Sequence, residues 1–378
     1  MRAKDNLRTW IEVDTKVLAR NYRAFRKLIG PKVKLMAVVK SNAYGHSLID
    51  FSRAMVKLGV DYLGVDSIVE AVALRQEKIK KEILVLGYTQ PINFSAAAVG
   101  DITITISSLE SLRHLVTMSK LPRFHLKLDT GMHRQGFTPE LLSVAIKIWS
   151  HPKVIEKIYD RLVGVYSHLA AASSKEHTAA THQQIAVFEN ALNLLAQAGF
   201  LRQSLVKHLA STGGAIAYPD ARFDLVRIGL GLYGLWPSDN LRRRFSDEIK
   251  LEPALSWKTI VSEVKTITTA GAVGYDFTER IRPGTKLAVC PIGYWHGFPR
   301  SLSSVGAVSV RGKLAKVIGR VSMDMIVIDV TRVRGAKAGD IVTLIGDGLP
   351  AERFAILAHT SPYEIITRLN PLIQKFYV

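Results

Sequence analysis

Up to residue 235, short apolar runs bounded by turn residues alternate with segments in which apolar positions recur every three or four residues. The runs 33–40, 61–66, 82–88, 102–107, 124–129, 162–168, 204–210 and 225–230 have the length and continuous apolarity of buried parallel strands. The segments 49–58, 67–78, 109–119, 138–149 and 178–198 carry helical periodicity. Strand followed by helix, eight times over, predicts an α/β fold of the (β/α)8 TIM-like barrel type. After Arg244 the pattern changes to short alternating runs punctuated by Gly and Pro, at 255–267, 286–292, 305–310, 314–318, 325–330 and 340–345. This predicts a mainly antiparallel β domain. The expected division is a barrel over 12–240 and a C-terminal β domain over 245–378. The stretch 236–253, with two prolines and a charge run, reads as the connector. The run TWIEVD near residue 11 reads as a strand, and residues 1–11 are expected to pack on the β domain.

With 378 residues, the chain exceeds what a single core usually organises, consistent with two domains. Hydrophobic residues make up 48% and charged residues 22%, the proportions of an ordinary globular protein. The segment MRAKDNLRTWIEVD lacks the apolar centre of a signal peptide, and no run reaches the roughly 18 apolar residues of a membrane span, so a cytoplasmic location is expected. The single cysteine, Cys290, lies in LAVCPIG and reads as a buried strand residue. The net charge of +19 would suit nucleic acid, but the cations are spread along the chain without interleaved aromatics, which predicts a solvated surface instead. His177 and His182 are five apart, the wrong spacing for one helical face, and no carboxylates accompany them, so no metal site is expected.

Barrel enzymes work at the C-terminal ends of their strands, and those ends are polar and cationic here. The first presents Lys40, Asn42, Tyr44, Gly45 and His46; the fifth Lys127, Asp129, Thr130 and Arg134; the sixth His168. The seventh presents Ser211, Thr212, Gly213 and Gly214, and the eighth Arg227 and Gly229. Lys40 follows the apolar run MAVV, where desolvation would favour its neutral, nucleophilic form, as Schiff-base chemistry requires. The Gly and hydroxyl residues of 211–214 and 229–231 allow backbone N–H groups to approach a phosphate closely. A lysine with a phosphate cradle describes a phosphorylated aldehyde cofactor.

The runs AVVKSNAYGH, LKLDTGMHRQGF, HLAST, VRIGLGLYG, VGYDFTER, IGYWHGFPR, GRVSMDM and PYEI resemble, in order, the successive motifs of alanine racemases. They span residues 36 to 364. The resemblance implies an isomerase that interconverts L- and D-alanine, supplies D-alanine for peptidoglycan, uses pyridoxal 5′-phosphate, and works as a homodimer with shared sites. Lys40 would carry the cofactor and act as one acid/base; Tyr275, supplied by the second subunit, would act as the other. Two bases on opposite faces are what racemisation needs. His168 and Arg227 would assist Tyr275, with Arg227 bonding the pyridine nitrogen. Arg134 would contact the cofactor's phenolate oxygen, and Lys127 matches a position often carbamylated in the family. Tyr44, Thr212, Gly229, Leu230 and Tyr363 match phosphate-binding positions. Met323 and Asp324 match partner-subunit residues at the substrate carboxylate, and Tyr294 resembles a tyrosine of the access corridor.

Three departures from the family pattern stand out. Ser211-Thr212 replaces Asn-Ser, His133 replaces a common glycine, and Trp295-His296 replaces Ala-Asp, which bears on access and substrate size. A racemase of larger amino acids such as serine or lysine, or a fold-related decarboxylase, are the competing enzyme readings. Such decarboxylases usually place a carboxylate at the ring nitrogen, where Arg227 stands here. A non-catalytic cofactor-carrying barrel would lack the β domain that bears Tyr275, Met323 and Asp324. The remaining histidines read as surface or packing residues.

Overall fold

A computed structural model describes residues 6–346 and 348–378. The chain divides into two compact units, one of residues 18–43 and 48–252, the other of the N-terminal segment through Val17, residues 44–47 and residues 253–378. Strand β1 (Thr9–Val13) belongs to the second unit. The first unit contains β2 (Lys34–Val38), β3 (Tyr62–Val65), β4 (Glu82–Val85), β5 (Ile104–Ile106), β6 (Phe124–Lys127), β7 (Leu162–Tyr166), β8 (Val206–His208) and β9 (Leu225–Ile228). They form two four-stranded parallel sheets, β4-β3-β2-β9 and β5-β6-β7-β8. Isolated parallel bridges Leu84↔Thr103 and Ser211↔Arg227 join the sheets at both seams and close the barrel. All eight expected strands are present. Each stops short of the predicted C-terminal limit.

Helices Leu48–Leu58, Ile68–Gln76, Leu109–Thr117, Pro139–Trp149 and Thr178–Gln197 occupy the expected segments. Their starts have local causes. The side chains of Ser67, Ser108 and Thr138 accept from the N–H groups of Glu70, Ser111 and Leu141, relieving donors that the first turn leaves unpaired. The long helix buries Ile185, Phe188, Leu192 and Leu195 at helical spacing. The expected connector 236–253 differs from the prediction. It contains a helix, Asp239–Phe245, capped by Ser238 and anchored by buried Leu241. Arg242, Arg243 and Arg244 lie in its last turn, where they complement the negative end of the helix dipole.

The second unit is built on a nine-stranded sheet. Its further strands are β10 (Leu255–Ile260), β11 (Glu263–Thr266), β12 (Gly271–Val273), β13 (Glu279–Ile281), β14 (Lys286–Cys290), β15 (Ala307–Val310), β16 (Lys313–Ile318), β17 (Ile326–Asp329), β18 (Ile341–Ile345) and β19 (Lys375–Tyr377). The order is β11-β14-β17-β16-β15-β18-β10-β1-β19, antiparallel except for the β1/β19 pair. As expected, the N-terminal strand pairs with this sheet, Ile11 opposite Trp257. The single run expected over 255–267 is two strands, because the chain changes partners there: β10 pairs with β18, and β11 with β14. Cys290 is buried, and desolvation pushes its thiol up to about 12. Hairpin β12–β13 and the helices Ala351–Leu357 and Pro362–Thr367 go beyond the expected pattern. No helix among the described residues is long and apolar enough to cross a membrane.

Trp149 is fully buried in the first unit, with Phe124 and Phe200 at ring-centroid separations of 6.4 and 5.4 Å, and its indole N–H has no partner among the described residues. Trp149→Ala therefore should cost about 3–5 kcal/mol through the cavity it leaves, lowering the denaturant midpoint. Trp149→Phe, which removes the unpaired N–H and keeps most of the volume, should cost much less.

Candidate active site

Lys40 directly follows β2 and opens an unusual turn. Ser41, Asn42, Ala43 and Tyr44 all have positive φ, between 49° and 56°. Left-handed backbone costs about 1–2 kcal/mol for each residue with a Cβ, so the turn must be held. Ser41 N–H donates to Glu70 Oε1 at 2.7 Å, Ala43 N–H to the Val39 carbonyl at 2.8 Å, and Leu48 N–H to Asn42 Oδ1 at 2.9 Å. Within the second unit, Gly45 (φ +82°) continues the turn, and a Cβ there would lie 2.1 Å from the Ile366 carbonyl oxygen. The Lys40 side chain is 39% exposed, with Nζ 3.4 Å from Asp66. The lysine stands at the barrel mouth, beside a carboxylate.

The interior of the barrel holds Arg227, buried on β9. Its guanidinium donates to the Ser167 carbonyl at 2.7 Å, the Leu209 carbonyl at 2.9 Å, His208 Nδ1 at 2.8 Å and His168 Nδ1 at 3.1 Å. It also lies 5.1 Å from the Tyr166 ring centroid. Every partner is neutral, and Arg227 Nε–H has none among the described residues. Desolvation lowers the guanidinium only to about 10, so it stays charged at neutral pH. Burial first, and then the Arg227 charge, hold His168 and His208 well below the usual imidazole range. Tyr166 hydrogen-bonds to Thr105 Oγ1 and the Leu86 carbonyl, and burial raises its phenol to about 12.

Lys127 ends β6 and is buried, its ammonium donating to Gln135 Oε1 at 3.0 Å and lying 5.5 Å from the Tyr166 ring centroid. Desolvation, reinforced by Arg134, Arg227 and Lys40, lowers it to about 8. Asp129 Oδ1 accepts from the N–H groups of Gly131, Met132 and His133, which sets the loop carrying exposed Arg134. At the neighbouring strand ends, Gly229 N–H donates to Thr212 Oγ1 at 3.1 Å, and Leu230 is buried. Gly231 permits a close approach, since a Cβ there would meet the Phe25 ring at 2.4 Å. Ser211 bridges to Arg227 across the barrel seam. Lys40, Lys127, Arg134, His168, Ser211, Thr212, Arg227, Gly229 and Leu230 are thus gathered at one end of the first unit.

The other predicted residues lie in the second unit. Tyr275 stands in the turn of hairpin β12–β13, with Gly274, Asp276 and Phe277 all at positive φ. Arg320 Nε pairs with Asp276 at 2.8 Å and holds this turn. Tyr275 and Phe277 are 68% and 75% exposed. Tyr294 and Trp295 donate backbone N–H groups to the carbonyls of Ser322 and Met323, which ties the Tyr294 turn to the loop of Met323 and Asp324. Asp324 acts on His296, whose imidazole burial lowers below its ordinary range. Tyr44 and Tyr363 have ring centroids 5.9 Å apart.

His125 and His208, read as surface or packing residues, are both fully buried in the barrel and bonded to each other at 2.7 Å. A signal for His125 was present: it stands two residues before Lys127 on β6, hence on the same strand face. Gln135, Asp66 and Glu70 carried no such signal. Their roles depend on loop positions.

Residues 13–237 match the family model described as alanine racemase, N-terminal domain, and residues 254–377 match alanine racemase, C-terminal domain. An alanine racemase of Leptospira interrogans is 34% identical over 99% of this chain and 97% of its own length. Among solved structures, alanine racemase of Clostridium difficile 630 superposes with a TM-score of 0.90 at 29% identity, covering 99% of this chain and 96% of that one. The alanine racemase of Bartonella henselae, with covalently bound pyridoxal phosphate, superposes at 0.86 with 27% identity, covering 98% and 100%. This chain belongs to the alanine racemase family of isomerases.

Proposed function

We propose that the protein interconverts L- and D-alanine with pyridoxal 5′-phosphate as cofactor, in a cytoplasmic homodimer that supplies D-alanine for peptidoglycan. The observation that carries this reading is the setting of Arg227: among the described residues, a buried guanidinium held only by neutral acceptors, with Nε–H unpartnered. The group fits the residues present. Lys40, Lys127, Arg134 and Arg227 gather there, and among the described residues the one ion pair any of them makes with a carboxylate is Lys40–Asp66. That excess of positive charge suits a phosphate and a substrate carboxylate. When bound, the cofactor supplies an electron sink that acidifies the substrate Cα–H.

In this reading Lys40 Nζ would hold the cofactor covalently and then exchange the Cα proton on one face. Tyr275 of the partner subunit would exchange it on the other. His168 accepts at Nδ1 from Arg227, so its one proton sits on Nε2, from which it would donate toward the phenol. Arg227 would donate Nε–H to the ring nitrogen. A guanidinium carries no acceptor and remains charged, so it would keep that nitrogen unprotonated and limit the sink. We assign Ser211, Thr212, Gly229, Leu230, Tyr44 and Tyr363 to the phosphate and Arg134 to the phenolate oxygen. Met323 and Asp324 of the partner subunit we assign to the substrate carboxylate, and Tyr294 to the access corridor. A second copy of the chain would cover the exposed Tyr275, Phe277, Met323 and Met325.

Lys127 we propose as a carbamylation site. It is a buried cation among cations with no carboxylate partner among the described residues. Reaction of its neutral amine with CO2 forms the N–C bond, releases a proton and replaces the cation by an anion able to pair with Arg134.

Lys40→Ala should abolish both racemisation and the visible absorbance of the lysine-bound cofactor; racemisation at the normal rate would end the assignment. Tyr275→Phe should lower kcat by about 10²–10⁴-fold while the cofactor stays bound, and Cα hydrogen exchange with solvent should persist for one enantiomer only. At constant dissolved ¹³CO2, a carbamate ¹³C resonance should grow as pH rises through about 8, the value to which the Lys127 amine is lowered. It should be missing from Lys127→Ala.

A further inference from the structure

The polar chain inside the barrel continues past Arg227. Arg227 Nη1 donates to His208 Nδ1 at 2.8 Å, and His208 Nε2 lies 2.7 Å from His125 Nδ1. All three side chains are buried. A guanidinium has donors and no acceptor, so this hydrogen bond exists only in the tautomer in which His208 Nδ1 presents its lone pair. The ring is held neutral by burial and by the Arg227 charge, so its one proton sits on Nε2 and is donated to His125 Nδ1. His125, lowered to about 3 chiefly by burial, is neutral as well and carries its proton on Nε2. That Nε2–H is buried with no acceptor among the described residues. An orphaned donor is costly in a barrel interior, and evolution could remove it with an apolar side chain. Reversing either ring would set two N–H groups against each other, or turn an N–H toward the guanidinium.

A second observation shows that this imidazole has a recess built for it. Gly164 stands opposite His125 in the β6–β7 register, and a Cβ at Gly164 would lie 2.4, 2.5 and 2.6 Å from Cε1, Nδ1 and Nε2 of the His125 ring. Tyr166 completes the enclosure: it stacks on His208 at 4.7 Å and 8° and meets the His125 ring edge-on at 6.4 Å. The barrel thus gives up a side chain on one strand to admit a histidine on the next.

We propose that His125 is a positioning residue for Arg227: by accepting from His208 it fixes the Nε2–H tautomer of that ring, and this keeps His208 Nδ1 available to hold the guanidinium. The functional part rests on the reading that Arg227 meets the cofactor ring; the tautomer part does not.

The test is a long-range ¹H–¹⁵N correlation spectrum of the imidazoles in the full-length labelled protein, with His208 assigned by its loss in His208→Gln. The wild type should show His208 as the Nε2–H tautomer. His125→Phe should release it to a tautomer mixture. His125→Asn, whose Oδ1 takes the place of Nδ1, should restore it. Gly164→Ala, which keeps the histidine but displaces its ring, should behave like His125→Phe. In the cofactor-loaded enzyme, kcat should fall on the order of tenfold in His125→Phe, the size one lost hydrogen bond to a positioned group converts to. KM for alanine should change far less, and His125→Asn should recover most of the loss. His208 carrying its proton on Nδ1 in the wild type overturns the proposal, as does an unchanged tautomer in His125→Phe. Equal losses of kcat in the Asn and Phe variants overturn it too. Failure of the racemase reading looks different: the wild type would not racemise alanine, while the tautomer results would stand.

Discussion

A positive charge is buried in the barrel without a counter-ion among the described residues, and much of the site follows from that constraint. Arg227 lies inside the ring of strands with carbonyl oxygens and imidazole nitrogens as its partners. A buried charge normally needs an ionic partner, because desolvation far exceeds what one ordinary hydrogen bond returns. Here four neutral acceptors share that task, and each must keep a lone pair turned inward. The guanidinium requires a lone pair from each imidazole: His168 and His208 stay neutral and turn Nδ1 toward it, with His125 lying against the far nitrogen of His208. A carboxylate in any of those places would have neutralised the charge and ended its influence at one contact.

The mouth of the barrel extends the same logic outward. Lys127 is buried within reach of Arg134, Arg227 and Lys40 and loses part of its hold on its proton as a result. Lys40 remains half-exposed beside Asp66. The backbone that presents it is strained over four consecutive residues; the Glu70 side chain accepts from Ser41 N–H within them, and the Asn42 side chain accepts from Leu48 N–H beyond them. Strain maintained by specific side-chain acceptors is characteristic of a segment whose shape serves a purpose beyond folding.

Much of the architecture was legible in the pattern of apolar residues. Parallel barrel strands are buried on both faces, so each appears as a continuous apolar run, and the helices between them repeat at helical spacing. The pattern was less informative where local pairing is brief. Hairpin β12–β13, with three residues in each strand, is too short to show alternation, yet its turn carries Tyr275. The helix Asp239–Phe245 was hidden by a charge run and two flanking prolines, although Ser238 marked its start.

For the site, residue order along the chain determined the motifs, the strand ends that carry them and the chemical types available: lysines, an arginine, hydroxyls and glycines at known strand termini. Those properties are local, so they can be read from neighbouring residues. Only the tertiary structure decided which side chains share an environment. His125, His208 and Arg227 come from three different strands and become one hydrogen-bonded chain because the barrel brings their inward faces together. The exposure of Lys40, the lowered proton affinity of Lys127 and the space that Gly164 leaves for His125 are likewise set across the fold. Desolvation and charge act through distance, and the distances exist only once the barrel has closed.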